Sequence, residues 1–153
     1  MKPEYIKYLI ESVREIFTEN FGVEPKKGKV SFYTHGLKAD VGASIGLIGD
    51  LEGDIILIVE KPVALKIASM MFQEEITELD EMSLSSINEL VNFIAGRMIT
   101  KLFQLNYDND ITPPETLLDK SIVFDHTTMM ACRIVFDTEM GKLEFALAKR
   151  MKK

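Results

Sequence analysis

One cysteine in 153 residues leaves Cys132 without an intrachain partner, so no disulfide framework holds this chain and a reducing compartment is its natural home. By pattern Cys132 sits within a strand and reads as a small buried hydrophobe rather than a nucleophile. Histidine is scarce as well. His35 and His126 lie far apart in sequence without compact ligand spacing, so no metal centre is expected. No apolar run approaches the roughly 20 residues of a membrane span. The N-terminus lacks the charged-then-apolar pattern of an export signal, so a cytoplasmic protein without a membrane partner is expected. Cationic excess is missing too: the formal net charge of -6 argues against a nonspecific nucleic-acid binder. The basic run Lys149-Arg150-Met151-Lys152-Lys153 reads as a solvated tail. No glycine-rich loop opens a helix in the manner of a phosphate cradle. Met70, Met71, Met82, Met129 and Met130 read as packing rather than a ligand cage.

What is present is a globular composition, 46% hydrophobic and 27% charged, in a length that suits one domain with a buried core. Glu4 to Asn20 carries Ile6, Ile10, Val13 and Phe17 at helical spacing, with Gly22 and Pro25 as stop signals. Lys26 to Lys29 reads as a polar connection, Val30 to Thr34 as a short strand and His35-Gly36 as a turn. Asp40 to Ile48 alternates strictly, and Gly49 to Gly53 supplies a hairpin turn into the apolar strand Asp54 to Glu60. Pro62 opens a helix to about Gln73, where the acidic stretch Glu74 to Glu81 breaks it. Ser83 is the expected N-cap of a long helix ending near Asn106, and Asp108-Asn109-Asp110 stops it. Pro113-Pro114 forces extended backbone or a turn. Strands are expected at Lys120 to Phe124, Thr128 to Phe136 and Lys142 to Ala148, the last two joined by a turn over Asp137 to Gly141.

A repeat is visible in this order. A shift of 88 places Gly53 on Gly141, brings Ile6, Ile10 and Phe17 onto Ile94, Met98 and Leu105, and puts Pro25 within one residue of Pro114. The expectation is a single α+β domain over residues 1–153, made of two related halves, with helices packed on an antiparallel β-sheet.

The long helix has two different faces. Ile87, Val91, Ile94, Met98 and Leu105 make an ordinary core stripe, with Leu84 and Leu102 at its edge. The opposite side carries Ser85, Glu89, Asn92 and Gly96, with Phe93, Ile99 and Phe103 around them. A solvated face normally shows lysine, glutamate, glutamine and arginine, so two phenylalanines beside a glycine point to a contact surface. Glu89 and Asn92, spaced i, i+3, project from neighbouring positions. The same shift of 88 drops this pair onto Met1 and Glu4, so only the second half carries it. The plainer alternatives are a polar Asn92 on a wet helix, Phe93 and Phe103 in the core, and Ser85 as a capping or solvating residue.

The pattern Ser85-x3-Glu89-x2-Asn92, a proline pair some twenty residues later and a duplicated α+β frame resemble the CheX/CheC/FliY phosphatases of bacterial chemotaxis. The resemblance spans the whole chain in element order. One motif-bearing half makes it nearer CheX than CheC. It implies an aspartyl-phosphate phosphatase acting on a phosphorylated CheY-like response regulator, with Asn92 and Glu89 as the catalytic pair. Asn92 would orient the attacking water and Glu89 would pair with a lysine of the regulator. Ser85, Phe93, Gly96, Ile99 and Phe103 would receive the partner. The resemblance further implies no cofactor or metal of the chain's own, Mg2+ supplied by the receiver domain, and a homodimer formed through sheet edges. A non-catalytic receiver-binding or flagellar-switch-like adaptor using the same helix face is the alternative, and a third is a structural subunit dimerising through that face.

Overall fold

The computed structural model describes residues 1–151. Helix α1, Pro3–Phe21, begins on a proline whose missing N–H costs nothing in the first turn. It buries Tyr5, Leu9, Val13, Ile16 and Phe17 on one face. Gly22 ends it at φ 62°, a left-handed conformation that glycine adopts freely, and its N–H closes onto the Thr18 carbonyl at 3.0 Å. Three strands follow: β1, Lys26–Ser31, β2, Gly36–Gly49, and β3, Gly53–Val59. Helices α2, Lys61–Phe72, and α3, Glu81–Phe103, precede four more strands: β4, Asn109–Ile111, β5, Glu115–Val123, β6, Met129–Thr138, and β7, Gly141–Arg150.

The strands form one antiparallel sheet in the order β1-β6-β7-β3-β2, with β5 and β4 following one another along the free edge of β2. Alternation sends Ile55, Leu57 and Val59 to the helix-covered face, where they join Ile45, Phe136, Phe145, α1 and α3 in the main core. Ile56 and Ile58 point the other way and meet Ala131, Ala146 and Ala148. There β2 runs past β3, and Leu37 and Ala39, with Phe124 from beyond β5, close over that second cluster. The α+β class with helices on an antiparallel sheet is as the sequence implied.

Several boundaries differ from the expectation: β2 starts at Gly36 rather than Asp40 and β5 at Glu115 rather than Lys120. Lys26–Lys29 is strand, not connection: β1 is exposed and polar because it is an edge, held by backbone pairing to β6 with a register shift between Lys27 and Val30. Asp80, not Ser83, caps α3. Its Oδ1 accepts from the Ser83 N–H at 2.9 Å while Ser83 Oγ accepts from the Asp80 N–H at 2.8 Å, a reciprocal box that starts the helix three residues earlier. The helix stops at Phe103, so Leu105 leaves the core stripe and is 42% exposed. Lys149 and Arg150 belong to β7 rather than to a tail; Lys152 and Lys153 lie outside the described residues.

Candidate docking and catalytic face on α3

Helix α3 is seated by Ile87, Leu90, Val91, Ile94, Ala95, Met98 and Leu102, all fully buried. A charged seam fastens it to α1: Arg97 reaches Glu15 at 2.9 Å and Glu19 at 2.7 Å, and Lys101 reaches Glu15 at 2.8 Å. Hydrogen bonding from Lys101 is the main reason the Glu15 carboxyl is held below its usual range, with Arg97 adding to it against the cost of burial. Beyond the last turn, Tyr107 accepts from Lys2 Nζ at 3.1 Å and from the Tyr5 hydroxyl at 3.3 Å, pinning the C-terminal end to the start of α1. Burial raises the Tyr5 phenol above its ordinary value, so it stays a neutral donor. The result is a rod fixed along its length.

The side turned away from this packing is the one singled out by sequence. At about 100° per residue Ser85, Asn92, Gly96 and Phe103 fall close to one line, and a rise of about 1.5 Å per residue stretches it over about 27 Å. Ser85 and Glu89 are exposed, Asn92 is half-buried, and Phe93 and Phe103 are 39% and 71% exposed. Around Asn92 other side chains are tethered: Asn88 to Thr116, Arg97 to Glu15, and Thr100 to the Gly96 carbonyl. Among the described residues Asn92 and Glu89 have no such tether, so both polar heads are free to bond outward. At Gly96 an added Cβ would meet nothing within 4 Å, so this chain has no packing need for a glycine there. Ile99 is half-buried, like Asn92, and packs against the main core. Sequence reasoning missed Met82, 39% exposed on the same side, and the Asn88–Thr116 pair. Periodicity alone places Met82 on the strip; no local signal pairs Asn88 with a residue 28 positions away.

Conventional nucleophiles are poorly placed. Cys132 is fully buried, and burial pushes its thiol up to about 11, which keeps it protonated. His35 and His126, far apart in sequence, in fact meet edge to face with ring centroids 5.9 Å apart, on the connections that precede β2 and β6. Among the described residues no group of three or more His, Cys, Asp or Glu is arranged to hold a metal ion. Among the described residues no helix is long and apolar enough to cross a membrane. What α3 presents to solvent is a surface: a rigid helix with an amide, a carboxylate, two phenylalanines and a gap.

Sheet, helices and exposed strip together define an α+β domain of the chemotaxis-phosphatase class. Residues 41–137 match the family described as Chemotaxis phosphatase CheX. Over 124 residues, 80% of each protein, the chain is 37% identical to the CheY-P phosphatase CheX of Thermotoga maritima. It superposes on the CheX–CheY–BeF3–Mg2+ complex from Borrelia burgdorferi with a TM-score of 0.79 at 25% identity, covering 97% of this chain and 98% of that one. A chemotaxis protein CheX from Desulfovibrio desulfuricans gives 0.85 at 19% identity, with 95% and 99% covered, and shares the fold. This chain belongs to the CheX/CheC/FliY family of chemotaxis phosphatases.

Proposed function

We propose that this chain hydrolyses the aspartyl phosphate of a CheY-like response regulator and so ends a two-component chemotaxis signal in the cytoplasm, with Asn92 and Glu89 as the working pair. The observation that carries the reading is the state of Asn92: half-buried, untethered among the described residues, and fixed on a helix whose other face is fully buried. The Thermotoga relative's description as a CheY-P phosphatase supports the same substrate. An acyl phosphate is already activated, and what a second protein can add is a water held in line with the phosphorus. An amide suits that task because it accepts from and donates to water without bringing negative charge near the phosphoryl group. Water oxygen bonds to phosphorus as the bond to the regulator's aspartate oxygen breaks; the aspartate leaves as a carboxylate and the water's protons pass to phosphate and solvent. The receiver supplies Mg2+ in this scheme, where it neutralises phosphoryl charge. Glu89, one turn before Asn92, anchors a lysine of the regulator. Ser85, Phe93, Gly96, Ile99 and Phe103 form the contact area.

Timing the decay of a phosphorylated receiver with and without the protein tests the reading. Asn92→Ala should fold and bind the regulator yet lose at least about tenfold in rate, the scale of one lost positioning contact; full activity in that variant removes the assigned role. Glu89→Ala should mainly weaken binding and recover in part at high regulator concentration.

The domain is also read as a duplicated unit, α1-β1-β2-β3 followed by α3-β5-β6-β7. In support, the β1–β6 pairing mirrors β5–β2 and the β2–β3 hairpin mirrors β6–β7, with β3 and β7 adjacent at the middle. A superposition of residues 3–59 on 91–147 that failed to bring β1 onto β5 would remove this reading. A homodimer through the free edge of β5 completes the proposal, supported by Leu118 and Val123 at 43% and 83% exposure.

A further inference from the structure

The segment from Thr112 to Thr116, between β4 and β5, is pinned at both ends. The Gly46 N–H donates to Thr112 Oγ1 at 2.8 Å, and the Thr112 N–H donates to the Gly46 carbonyl at 3.0 Å. A Cβ at position 46 would stand 2.8 Å from Thr112 Oγ1 and 2.9 Å from its Cγ2, so only glycine admits this approach. At the other end Asn88 Nδ2 donates to Thr116 Oγ1 at 3.0 Å, and the hydroxyl points back toward Asn88 Oδ1 at 3.4 Å. Between the anchors stand Pro113 and Pro114, whose rings fix φ and leave the backbone little freedom. Asn88 lies on α3 one turn before Asn92, on the flank of the exposed strip. An exposed side-chain hydrogen bond adds little to stability, since water can replace either partner. Strand β5 is in any case held by its ladder to β2, which includes Thr116 opposite Ala43. The Asn88–Thr116 bond links the side chains of α3 to the start of β5, two residues past the proline pair.

We propose that Asn88 and Thr116 are positioning residues for the dephosphorylation. They hold the Pro113–Pro114 connector as a rigid second edge of the docking face, so that a receiver seats against helix and connector together and presents its phosphoryl group to Asn92 in one register. The inference rests on the phosphatase reading above. With the tether cut, the receiver still finds the helix strip but seats in several registers, of which few are productive.

The experiment is the decay of a phosphorylated CheY-like receiver across receiver concentrations, run beside melting curves and binding to the beryllofluoride-loaded receiver. Thr116→Val, which keeps shape and removes the hydroxyl, should lower kcat about tenfold while affinity for the loaded receiver changes less than about threefold. Thr116→Ser should restore kcat, and Asn88→Ala should repeat the loss, which keeps the test intact if the valine variant does not fold. A merely structural bond would shift the melting temperature and leave kcat alone. Wild-type kcat in folded Thr116→Val or Asn88→Ala, with an active parent protein, overturns this inference and spares the phosphatase reading. An inactive parent protein overturns both.

Discussion

Gly96 separates two demands that usually coincide. A glycine inside an exposed helix costs about 0.5–1 kcal/mol relative to alanine, and nothing in this chain crowds the position. Gly96→Ala should therefore raise stability by about 0.5–1 kcal/mol, a gain of a few degrees in melting temperature for a domain of this size. Gly96→Leu should instead weaken engagement of the regulator, read as a higher KM, because it fills the gap at the centre of the strip. A leucine variant with unchanged KM would mean that no partner backbone approaches there. Asn92 and Gly96 were legible in the sequence as an odd pair beside Phe93 and Phe103.

At the scale of elements, α3 is presented by the seam it shares with α1. Glu15 has a carboxyl held below its ordinary value of 4.5, first by the hydrogen bond from Lys101. A depressed carboxylate contributes stability above its unfolded value and loses it as pH falls through the lower folded value. The helix-capping carboxyl of Asp80 is lowered from 3.8 in the same sense, chiefly by the Ser83 backbone N–H. Both contributions are thus fully present near neutrality; that of Glu15 fades as pH falls below about 4.5 and that of Asp80 below about 3.8. Because Glu15 is 39% exposed, solvent screening leaves its share at a fraction of about 1 kcal/mol. Lys101→Met should give a melting temperature that falls less steeply between pH 5 and 3 than the parent's; parallel curves would mean that the seam carries no acid sensitivity. The helices and the hairpin strands were readable from period and turn chemistry. The cap at Asp80 was not, because an aspartate–serine box and a lone serine cap start with the same residue types.

For the molecule as a whole, the two sheet edges are unlike. The β1 edge carries Lys26, Lys27 and Lys29 and a register shift, devices that discourage pairing with another chain. The β5 edge exposes Leu118 and Val123, and a second copy could pair there. The parent protein should therefore have a dimer's solution mass, and Leu118→Lys should shift it toward the monomer without slowing dephosphorylation per chain. A monomeric parent would remove the dimer. Taken alone, the sequence determined the α+β class, three helices, most strands and the Ser85–Phe103 strip, because periodicity and capping act over a few neighbouring residues. Only the tertiary structure decided that Lys26–Lys29 is part of a strand, that Asn92 is left untethered, and that Thr116 reaches Asn88. Each depends on which distant segments pack together, and a polar edge strand or a contact across 28 residues leaves no repeating pattern in the chain.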